Sequence, residues 1–430
     1  MEQLTLGKID FKNFKNLSSD CGVELKNLNI LIGPNGSGKS NFIQLLKFLS
    51  DSTSIAQDET RGRTSFDNAL LKMGGERALD ASQKAPASIE ISYSFTYGNL
   101  SPYRLEIELR IQDAHRKPII NLETLSQDQF NNPKQPFYYY QCHNKQSGAG
   151  VVSYYVSPPA KETRFQKLED VPVDELALIS IPRLLESSNI PPENTPFYQV
   201  RRQIVDNVSN WRFYNANDMN LSAIRTAEPN LGPSDLVLSA SGENLPLVLE
   251  NLTQQSVDFE EMLNEETRKF LPWTRKVRAA RSGRLKLTIE WHMDIPQGKK
   301  EQFYLSEMSD GSVRMLCWAT ILLSPELPSL LVIEEPEIGI HVSWLPILAA
   351  WIKKASEKTQ VIVSTHSPDL LDYFTDRLSN VLVMKQSESL SHRFCLMPLT
   401  PELLKDKLDE GWQLGDLYRV GDARIGGWPW

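Results

Sequence analysis

Apolar positions along this chain either alternate with polar ones or cluster in short runs, and these patterns predict its strands and helices. Residues 4–14 alternate, as do Val23 and Leu25, which predicts a small sheet near the start of the chain. Residues 28–32 form an apolar run that is typical of a buried strand. A helix is predicted over residues 41–49, because four apolar side chains lie at helical spacing there: Phe42, Leu45, Leu46 and Leu49.

The stretch from residue 51 to residue 87 is polar and weakly patterned, with turn signals at Arg61-Gly62-Arg63 and Gly74-Gly75. We expect a mobile excursion there. Beyond it, five β-like segments are separated by Gly, Pro and Asn, which predicts an antiparallel sheet. These segments are residues 88–96, 103–111, 119–125, 137–142 and 151–156.

Prolines punctuate short helical pieces between residues 158 and 196, and longer elements follow. Helices are predicted at residues 197–210, 243–252 and 259–270, and a strand that returns to the core sheet is predicted at residues 211–214. From residue 285 onward strands and helices alternate, as in an α/β fold. This part comprises strands at 285–291, 330–333 and 361–363 and helices at 313–323 and 344–352.

The predicted organisation is therefore an α/β core built from two distant parts of the chain, with insertions between them. Residues 1–50 and 284–400 form the two halves of the core. Residues 51–157 form the excursion and an antiparallel β subdomain, residues 158–283 an inserted helical lobe, and residues 401–430 a tail.

Composition places the chain among folded proteins, since 430 residues with 40% hydrophobic and 23% charged positions can bury a large core. No apolar run approaches 18 residues and the first residues lack a signal-peptide pattern, so we expect a cytosolic protein without a membrane partner. The four cysteines are far apart, which indicates reduced thiols rather than a disulfide frame or a zinc site. A net charge of −8 argues against coating nucleic acid over the whole surface, but it allows a local basic patch.

The strongest chemical signal is residues 33–40, Gly-Pro-Asn-Gly-Ser-Gly-Lys-Ser, which fits the phosphate-loop pattern. It lies between the predicted strand and helix, where the glycines let backbone N–H groups turn toward phosphate oxygens and the helix N-terminus adds its dipole. Lys39 would reach the β- and γ-phosphates, and Ser40 would ligate Mg²⁺. The expected ATP-binding residues here are Asn35, Gly36, Ser37, Gly38, Lys39, Ser40 and Asn41.

Polar residues that suit nucleotide hydrolysis follow two later strands. Glu334 and Glu335 come at the carboxyl end of one apolar run, where ligands of α/β sheets bind. Glu334 can hold Mg²⁺ through water while Glu335 orients the attacking water, and His366 follows the next run within reach of a γ-phosphate. Each feature alone also occurs at ordinary strand ends. Behind a phosphate loop they predict ATP hydrolysis with Mg²⁺, with Lys39, Glu335 and His366 as catalytic residues.

Four further motifs resemble those of ABC-type ATPases. Residues 305–312, Leu-Ser-Glu-Met-Ser-Asp-Gly-Ser, look like the Ser-x-Gly signature, and residues 335–341, Glu-Pro-Glu-Ile-Gly-Ile-His, resemble the D-loop. Residues 364–368, Ser-Thr-His-Ser-Pro, look like the switch histidine segment. The opening Ile-Asp-Phe-Lys-Asn-Phe-Lys at 9–15, followed by the loop, is similar to RecF-like and SMC-like heads.

This resemblance implies an ABC-type ATPase head that forms a homodimer or a higher even oligomer. Lys39 and Ser40 of one subunit and Ser309 and Gly311 of the other would enclose the same ATP. The sequence departs from the family pattern at three positions. Glu334 replaces the usual Asp, Asp310 replaces a usual Gly and adds a negative charge beside the phosphates, and Asn215 or Asn217 stands in for an expected Gln.

The tail, residues 411–430, looks like the ending of stand-alone ATPases of the AAA-21 type, which are often encoded beside a nuclease-like partner. Three tryptophans, Trp412, Trp428 and Trp430, form either a partner anchor or part of a tail folded on its own domain. The 64 residues after His366 contain no Asp-x-Asp, so a built-in nuclease is not expected. We therefore expect a sensor or switch for a separately encoded effector in antiphage defence. The alternatives are a RecF-like DNA-repair clamp and, third, a transporter subunit.

A basic run between residues 267 and 288 is the candidate contact for DNA. It holds eight Lys and Arg residues and no acid. The other 408 residues therefore carry a net charge of −16, which the run's +8 brings to −8 for the whole chain. The expected phosphate-backbone contacts are Arg275, Lys276, Arg278 and Arg281. The alternative interpretation is a solvated helix end that offsets the acidic residues just before it.

Overall fold

A computed structural model of the chain describes residues 3–17, 22–54, 64–113, 117–129, 132–144, 149–155, 165–187, 196–232, 235–296, 298–387 and 393–426. The chain forms two compact units. Unit 1 consists of residues 1–26, 33–211 and 382–398, and unit 2 consists of residues 27–32, 212–381 and 399–430.

The strands follow the apolar alternation along the chain. They are β1 Thr5–Lys12, β2 Val23–Glu24, β3 Leu28–Ile32, β4 Ala87–Thr96, β5 Tyr103–Ile111, β6 Ile119–Gln129, β7 Asn132–Asn144, β8 Gly150–Tyr155, β9 Phe165–Val171, β10 Arg212–Asn215, β11 Thr274–Ser282, β12 Lys286–Ile295, β13 Lys299–Tyr304, β14 Leu330–Glu334, β15 Gln360–Ser364, β16 Val381–Gln386 and β17 Phe394–Pro398.

The helices are short to medium in length. They are α1 Lys39–Thr53, α2 Ser65–Met73, α3 Ala177–Ser187, α4 Phe197–Ser209, α5 Leu221–Thr226, α6 Leu245–Gln255, α7 Val257–Phe270, α8 Asp310–Leu322, α9 Leu345–Ser356, α10 Pro368–Asp372, α11 Lys405–Asp409 and α12 Leu414–Arg419.

Unit 1 is organised around an eight-stranded antiparallel sheet with the order β2-β1-β4-β5-β6-β7-β8-β9. One face is apolar because alternate residues of its central strands are buried, as in β5, where Tyr103, Leu105, Ile107 and Leu109 are all at most 7% exposed. The hydroxyl of Tyr93 on β4 donates to the carbonyl of Leu45 on α1. The phosphate-loop helix is thereby attached to this sheet.

A buried glutamate side chain on β6 accepts hydrogen bonds from the first turn of α3. Glu123 on β6 accepts the backbone N–H groups of Ala177 and Leu178, at 2.6 and 2.8 Å, and the hydroxyl of Tyr140 at 2.6 Å. The N–H groups in the first turn of a helix have no acceptor within the helix, and Glu123 supplies two of these acceptors for α3. Burial raises the pKa of Glu123 to about 7.

Unit 2 contains a parallel sheet in which β10, β14, β15 and β3 are neighbours in that order. All five residues of β3, β14 and β15 are buried. This explains their continuous apolar sequences, since both faces of a parallel sheet are covered. A three-stranded antiparallel sheet, β11-β12-β13, lies in the same unit.

The predicted α/β class is confirmed, and most predicted elements occur within a few residues of their expected positions. The structure adds one helix that the sequence did not predict, and it contradicts one interpretation. Ser65–Met73, inside the expected excursion, forms α2, because Phe66, Leu70 and Met73 share a buried face. The basic run is not a helix end beyond Phe270, because Thr274–Ser282 is a strand whose Val277 is buried opposite Trp291. Residues 55–63, including the turn signal at 61–63, lie outside the described residues.

Three of the four cysteines, Cys142, Cys317 and Cys395, are buried free thiols, and Cys21 lies outside the described residues. Burial raises the pKa of both Cys142 and Cys317 to about 12. These two thiols are therefore protonated and unreactive at neutral pH.

Candidate nucleotide site

The phosphate loop connects β3 to α1 and turns sharply at its three glycines. Gly33, Gly36 and Gly38 have φ values of 146°, 75° and 109°, which L side chains rarely adopt. A Cβ at Gly33 would also lie 2.5 Å from the Cβ of Met384. A Cβ at Gly36 would meet nothing within 4 Å, so the middle of the loop is open.

The loop residues fit a bound phosphate. Lys39 is 7% exposed, and its Nζ donates to the carbonyl oxygens of Gly33 and Pro34 at 2.8 and 3.1 Å. Among the described residues, α1 has no side-chain hydrogen bond at its N-cap, Gly38, and the first N–H groups of a helix have no acceptor within the helix itself. Within the described chain, the buried Oγ of Ser37 has no hydrogen-bond partner. An anion would supply the acceptors that this turn lacks.

Asn16, which lies outside the phosphate-loop motif, makes hydrogen bonds to Gly36 in the loop and to Asn41 at the start of α1. Its Nδ2 donates to the carbonyl of Gly36 at 2.9 Å, and its Oδ1 accepts from Nδ2 of Asn41 at 2.7 Å. Asn16 was not identified from the sequence. Asn41 was expected to bind nucleotide, and its hydrogen bond with Asn16 gives it a second, supporting role.

Strand register aligns the predicted catalytic positions of unit 2. Asn215 of β10 is opposite Glu334 of β14, which is opposite Ser364 of β15, which in turn is opposite Leu31 of β3. Parallel strands carry the residues that follow them to one edge. Gly33, which begins the phosphate loop, comes two residues after Leu31 in the chain.

Glu335 directly follows β14 and has an uncommon backbone conformation. Its φ is +51°, although it is not glycine, and its N–H donates to the carbonyl of Ser364 at 2.8 Å. Its Oε2 is 3.5 Å from Nδ2 of Asn217, and its Oε1 is 3.8 Å from Nε2 of His366. Strained backbone of this kind concentrates at functional sites. The structure thus brings together Glu335, His366 and Asn217, one of the two asparagines that the sequence left open.

Glu337 holds the switch histidine segment. Its Oε1 accepts the hydroxyl of Thr365 at 2.6 Å and the N–H of His366 at 3.1 Å. Burial, with the nearby charge of Glu335 as a smaller cause, raises the pKa of Glu337. Glu337 lies in the D-loop-like motif, but no role was predicted for it from the sequence. Its position two residues after Glu335 is the feature of the sequence that could have identified it.

The turn resembling the ABC signature begins α8. Ser309 caps the helix by accepting the N–H of Ser312 at 3.3 Å. A Cβ at Gly311 would lie 3.1 Å from the ring of Trp344 and 3.3 Å from the carbonyl oxygen of Gly339. Glycine at 311 therefore keeps this turn close to the segment that resembles the D-loop.

Two arginines link this turn and α8 to distant parts of the chain, and neither was identified from the sequence. The guanidinium of Arg225 pairs with Asp310 at 2.5 Å and donates to the carbonyl of Met308 at 2.8 Å. Arg314 on α8 donates to the carbonyl of Ala216 at 2.5 Å, and burial lowers its pKa. No local pattern could identify these contacts, since each joins residues more than 80 positions apart.

Ser40 and Glu334, the expected Mg²⁺ ligands, lie in different units. Ser40 is exposed on the first turn of α1, and Glu334 is 7% exposed at the end of β14. A hydroxyl and a carboxylate are hard oxygen ligands of the kind Mg²⁺ takes together with substrate phosphates. Both residue types fit the ion.

The candidate DNA contacts lie on β11, but they are not equally available. Lys276 pairs with Glu260 at 2.6 Å and Arg278 with Glu290 at 2.9 Å. Arg275 and Arg281 are exposed, and in the described part of the chain neither has an ion pair. Two of the four charges are thus compensated within the molecule.

Solved structures with a similar chain course are SMC head domains. One is an SMC head bound to the C-terminal winged-helix domain of ScpA, with 13% identity, a TM-score of 0.48, and coverage of 93% of this chain and 99% of that one. Another is the Pyrococcus furiosus SMC head bound to the C-terminal domain of ScpA, at 14% identity, a TM-score of 0.44, and coverage of 95% and 99%. The Thermotoga maritima SMC head has 12% identity, a TM-score of 0.41, and coverage of 92% and 99%.

No curated protein matches the sequence significantly. Among the described residues, no helix combines the length and the apolar character needed to cross a bilayer. Residues 28–137 and 221–372, more than half of the chain, match the family AAA_21, described as "AAA domain, putative AbiEii toxin, Type IV TA system". These two segments include the phosphate loop, the signature-like turn, the Glu334-Glu335 pair and His366. The chain therefore belongs to the AAA_21 family of ATPase domains.

Proposed function

We propose that this protein binds ATP with Mg²⁺, closes as a homodimer around it and hydrolyses it. The observation that carries the proposal is the register of β10, β14, β15 and β3, whose carboxyl ends lead into Asn217, Glu335, His366 and the phosphate loop. Ligands of parallel α/β sheets bind at this edge. Family membership supports the same function.

The roles follow from charge and position. Lys39 and the N–H groups of the loop would hold the phosphates. Ser40 and Glu334 would hold Mg²⁺, which when bound would supply positive charge to the phosphate oxygens. Glu335 orients the attacking water and accepts its proton. Asn217 and His366, at 3.5 and 3.8 Å from its two oxygens, fix its carboxylate.

In the proposed dimer, the signature-like turn of one subunit contacts the ATP held by the other. Ser309 offers a hydroxyl, and Gly311 offers an N–H in the first turn of α8, a 13-residue helix. Binding of ATP would close the dimer, and hydrolysis would open it. Higher even oligomers would reuse the same pairing.

We further propose that this cycle drives a separately encoded, nuclease-like effector in antiphage defence. The family description, which refers to a toxin–antitoxin system, supports a role with a second component. The test is phage plating on cells that carry the locus. Protection by the wild type that is lost with Glu335→Gln supports the proposal, and equal protection by both overturns it.

The ATPase function is tested by two variants with matched controls. Lys39→Ala removes ATP binding, whereas Glu335→Gln retains binding, accumulates the dimer in size-exclusion with ATP and lowers kcat by about a hundredfold or more. Lys47→Ala on the same helix and Glu357→Gln in the same unit are the controls. Wild-type turnover by Glu335→Gln would transfer the proton-accepting role to Glu334.

A DNA-repair clamp is the second candidate function, favoured by the exposed Arg275 and Arg281 on β11. It differs from the first in requiring DNA and no effector. Stimulation of wild-type ATPase by duplex ends, lost in Arg275→Gln/Arg281→Gln, would favour the clamp.

A further inference from the structure

The C-terminal helix α12 packs directly on α10, the helix that begins two residues after His366. The carboxylate of Asp372 on α10 accepts the N–H of Gly415 at 2.8 Å, and the hydroxyl of Thr375 accepts the N–H of Leu414 at 2.9 Å. Both N–H groups belong to the first turn of α12, where a helix has no internal acceptors. Asp372 and Thr375 therefore supply acceptors for the N–H groups at the start of α12.

Arg419, at the other end of α12, binds the same helix. Its Nη2 is 2.5 Å from Oδ1 of Asp369 and 3.1 Å from Oδ2 of Asp372. These two aspartates are three residues apart on α10, so their charges repel each other without a cation. Arg419 compensates both with charge-assisted hydrogen bonds.

The two helices approach so closely that only glycine fits between them. A Cβ at Gly415 would lie 2.0 Å from the carbonyl oxygen of Pro368 and 2.4 Å from Oδ1 of Asp372. Leu414 and Leu417 on either side are fully buried. This part of the tail is folded on its own unit, whereas Trp428 and Trp430 lie outside the described residues.

The residues just before α10 make hydrogen bonds of their own, to Glu337 and at the N-cap of α10. Glu337 accepts the N–H of His366, and Ser367 caps α10 by accepting the N–H of Leu370 at 3.2 Å. His366 is thus located between two anchors, Glu337 on one side and the α10–α12 contact on the other.

We propose that α12 is a positioning element for the switch histidine, with Gly415 and Arg419 as its positioning residues. The inference rests on the proposed function, because it assigns His366 a part in hydrolysis. Losing the α10–α12 contact lets α10 shift, and His366 then leaves its place beside Glu335. Turnover falls while the phosphate loop still holds ATP.

The test compares Arg419→Gln and Gly415→Ala with Arg424→Gln. Arg424 pairs with Asp406 and Asp422 at 2.9 and 2.7 Å inside the tail, so its loss removes ion pairs of the same kind away from α10. We expect Arg419→Gln to lower kcat by about tenfold with KM for ATP within about twofold, since small misplacement of a catalytic group is costly. Arg419→Lys restores part of kcat, and Arg424→Gln leaves kcat unchanged.

Hydrogen exchange gives a readout that does not depend on activity. Amides of Leu370–Asp372 exchange faster in Arg419→Gln and Gly415→Ala than in the wild type or Arg424→Gln. If Arg419→Gln and Gly415→Ala both show the kcat and the amide exchange rates of the wild type, the inference is overturned. The ATPase proposal would still stand. An equal kcat loss in Arg424→Gln, or a parallel rise in KM, would also overturn it. If His366→Ala has the kcat of the wild type, His366 has no part in hydrolysis, and the inference fails for that reason.

Discussion

The guanidinium of Arg225 lies 2.5 Å from the carboxylate of Asp310, in the turn that resembles the ABC signature. The turn thereby carries a compensated charge at Asp310, the position where the resemblance to the ABC signature led us to expect glycine. Removing Arg225 leaves Asp310, whose side chain is 65% exposed, without its ion-pair partner and facing the partner's phosphates in the proposed dimer.

Arg225→Gln should therefore weaken ATP-dependent dimerisation by about tenfold, the effect of one uncompensated charge near phosphate. The double variant Arg225→Gln/Asp310→Asn should recover most of the loss, because it removes both charges. Analytical ultracentrifugation with ATP measures this, and Arg202→Gln, which loses an exposed pair with Asp206, is the control. If the double variant stays as weak as the single one, Arg225 itself contacts the nucleotide.

Asn217 should affect the chemical step rather than binding, because its amide is 3.5 Å from the Glu335 carboxylate. We expect Asn217→Ala to lower kcat with little change in KM. Asn217→Asp loses the amide donor and places a second negative charge beside Glu335, so we expect it to lower kcat at least as much as Asn217→Ala, again with little change in KM. Wild-type kcat in either variant would contradict this.

Glu123 should make the protein less stable as pH rises. Its pKa is about 7 in the folded state and 4.5 is its ordinary value, so the folded state binds the proton more tightly. Stability from this group is present below about pH 4.5 and is lost as pH rises through about 7, by roughly 3 kcal/mol. Thermal melts across this range should show a flatter dependence in Glu123→Gln than in the wild type. The surface variant Glu76→Gln should keep the wild-type slope, and an unchanged slope in Glu123→Gln would refute the assignment.

The four candidate DNA contacts should divide into two pairs. Arg275→Gln/Arg281→Gln removes two exposed charges and should reduce the magnitude of the log–log salt slope for duplex binding by about 1.8. Lys276→Gln/Arg278→Gln should change the slope less, because Glu260 and Glu290 already compensate these residues. Fluorescence anisotropy against salt measures both. Equal slopes in all three proteins would leave β11 without a role in DNA binding.

Local sequence determined the elements that carry the candidate site. Fully buried parallel strands need continuous apolar runs, so β3, β14 and β15 were visible from the sequence. The phosphate loop was visible as well, because its glycines and Lys39 must follow one another at set spacing. The residues after each strand, Glu335 and His366 among them, were identified for the same reason.

Tertiary structure decided which distant side chains meet there. Asn217 reaches Glu335 only because β10 pairs with β14, and Arg225 reaches Asp310 only because α5 lies beside the start of α8. The strand β11 was not predicted from the sequence, because its exposed positions are basic. Its pairing with β12, in which Val277 lies opposite Trp291, makes it part of a sheet. In the tail, the sequence left two interpretations open, and the close approach of Gly415 to Pro368 decided that α12 folds on its own unit. Contacts of this kind depend on chain topology, which brings together residues that no local spacing relates.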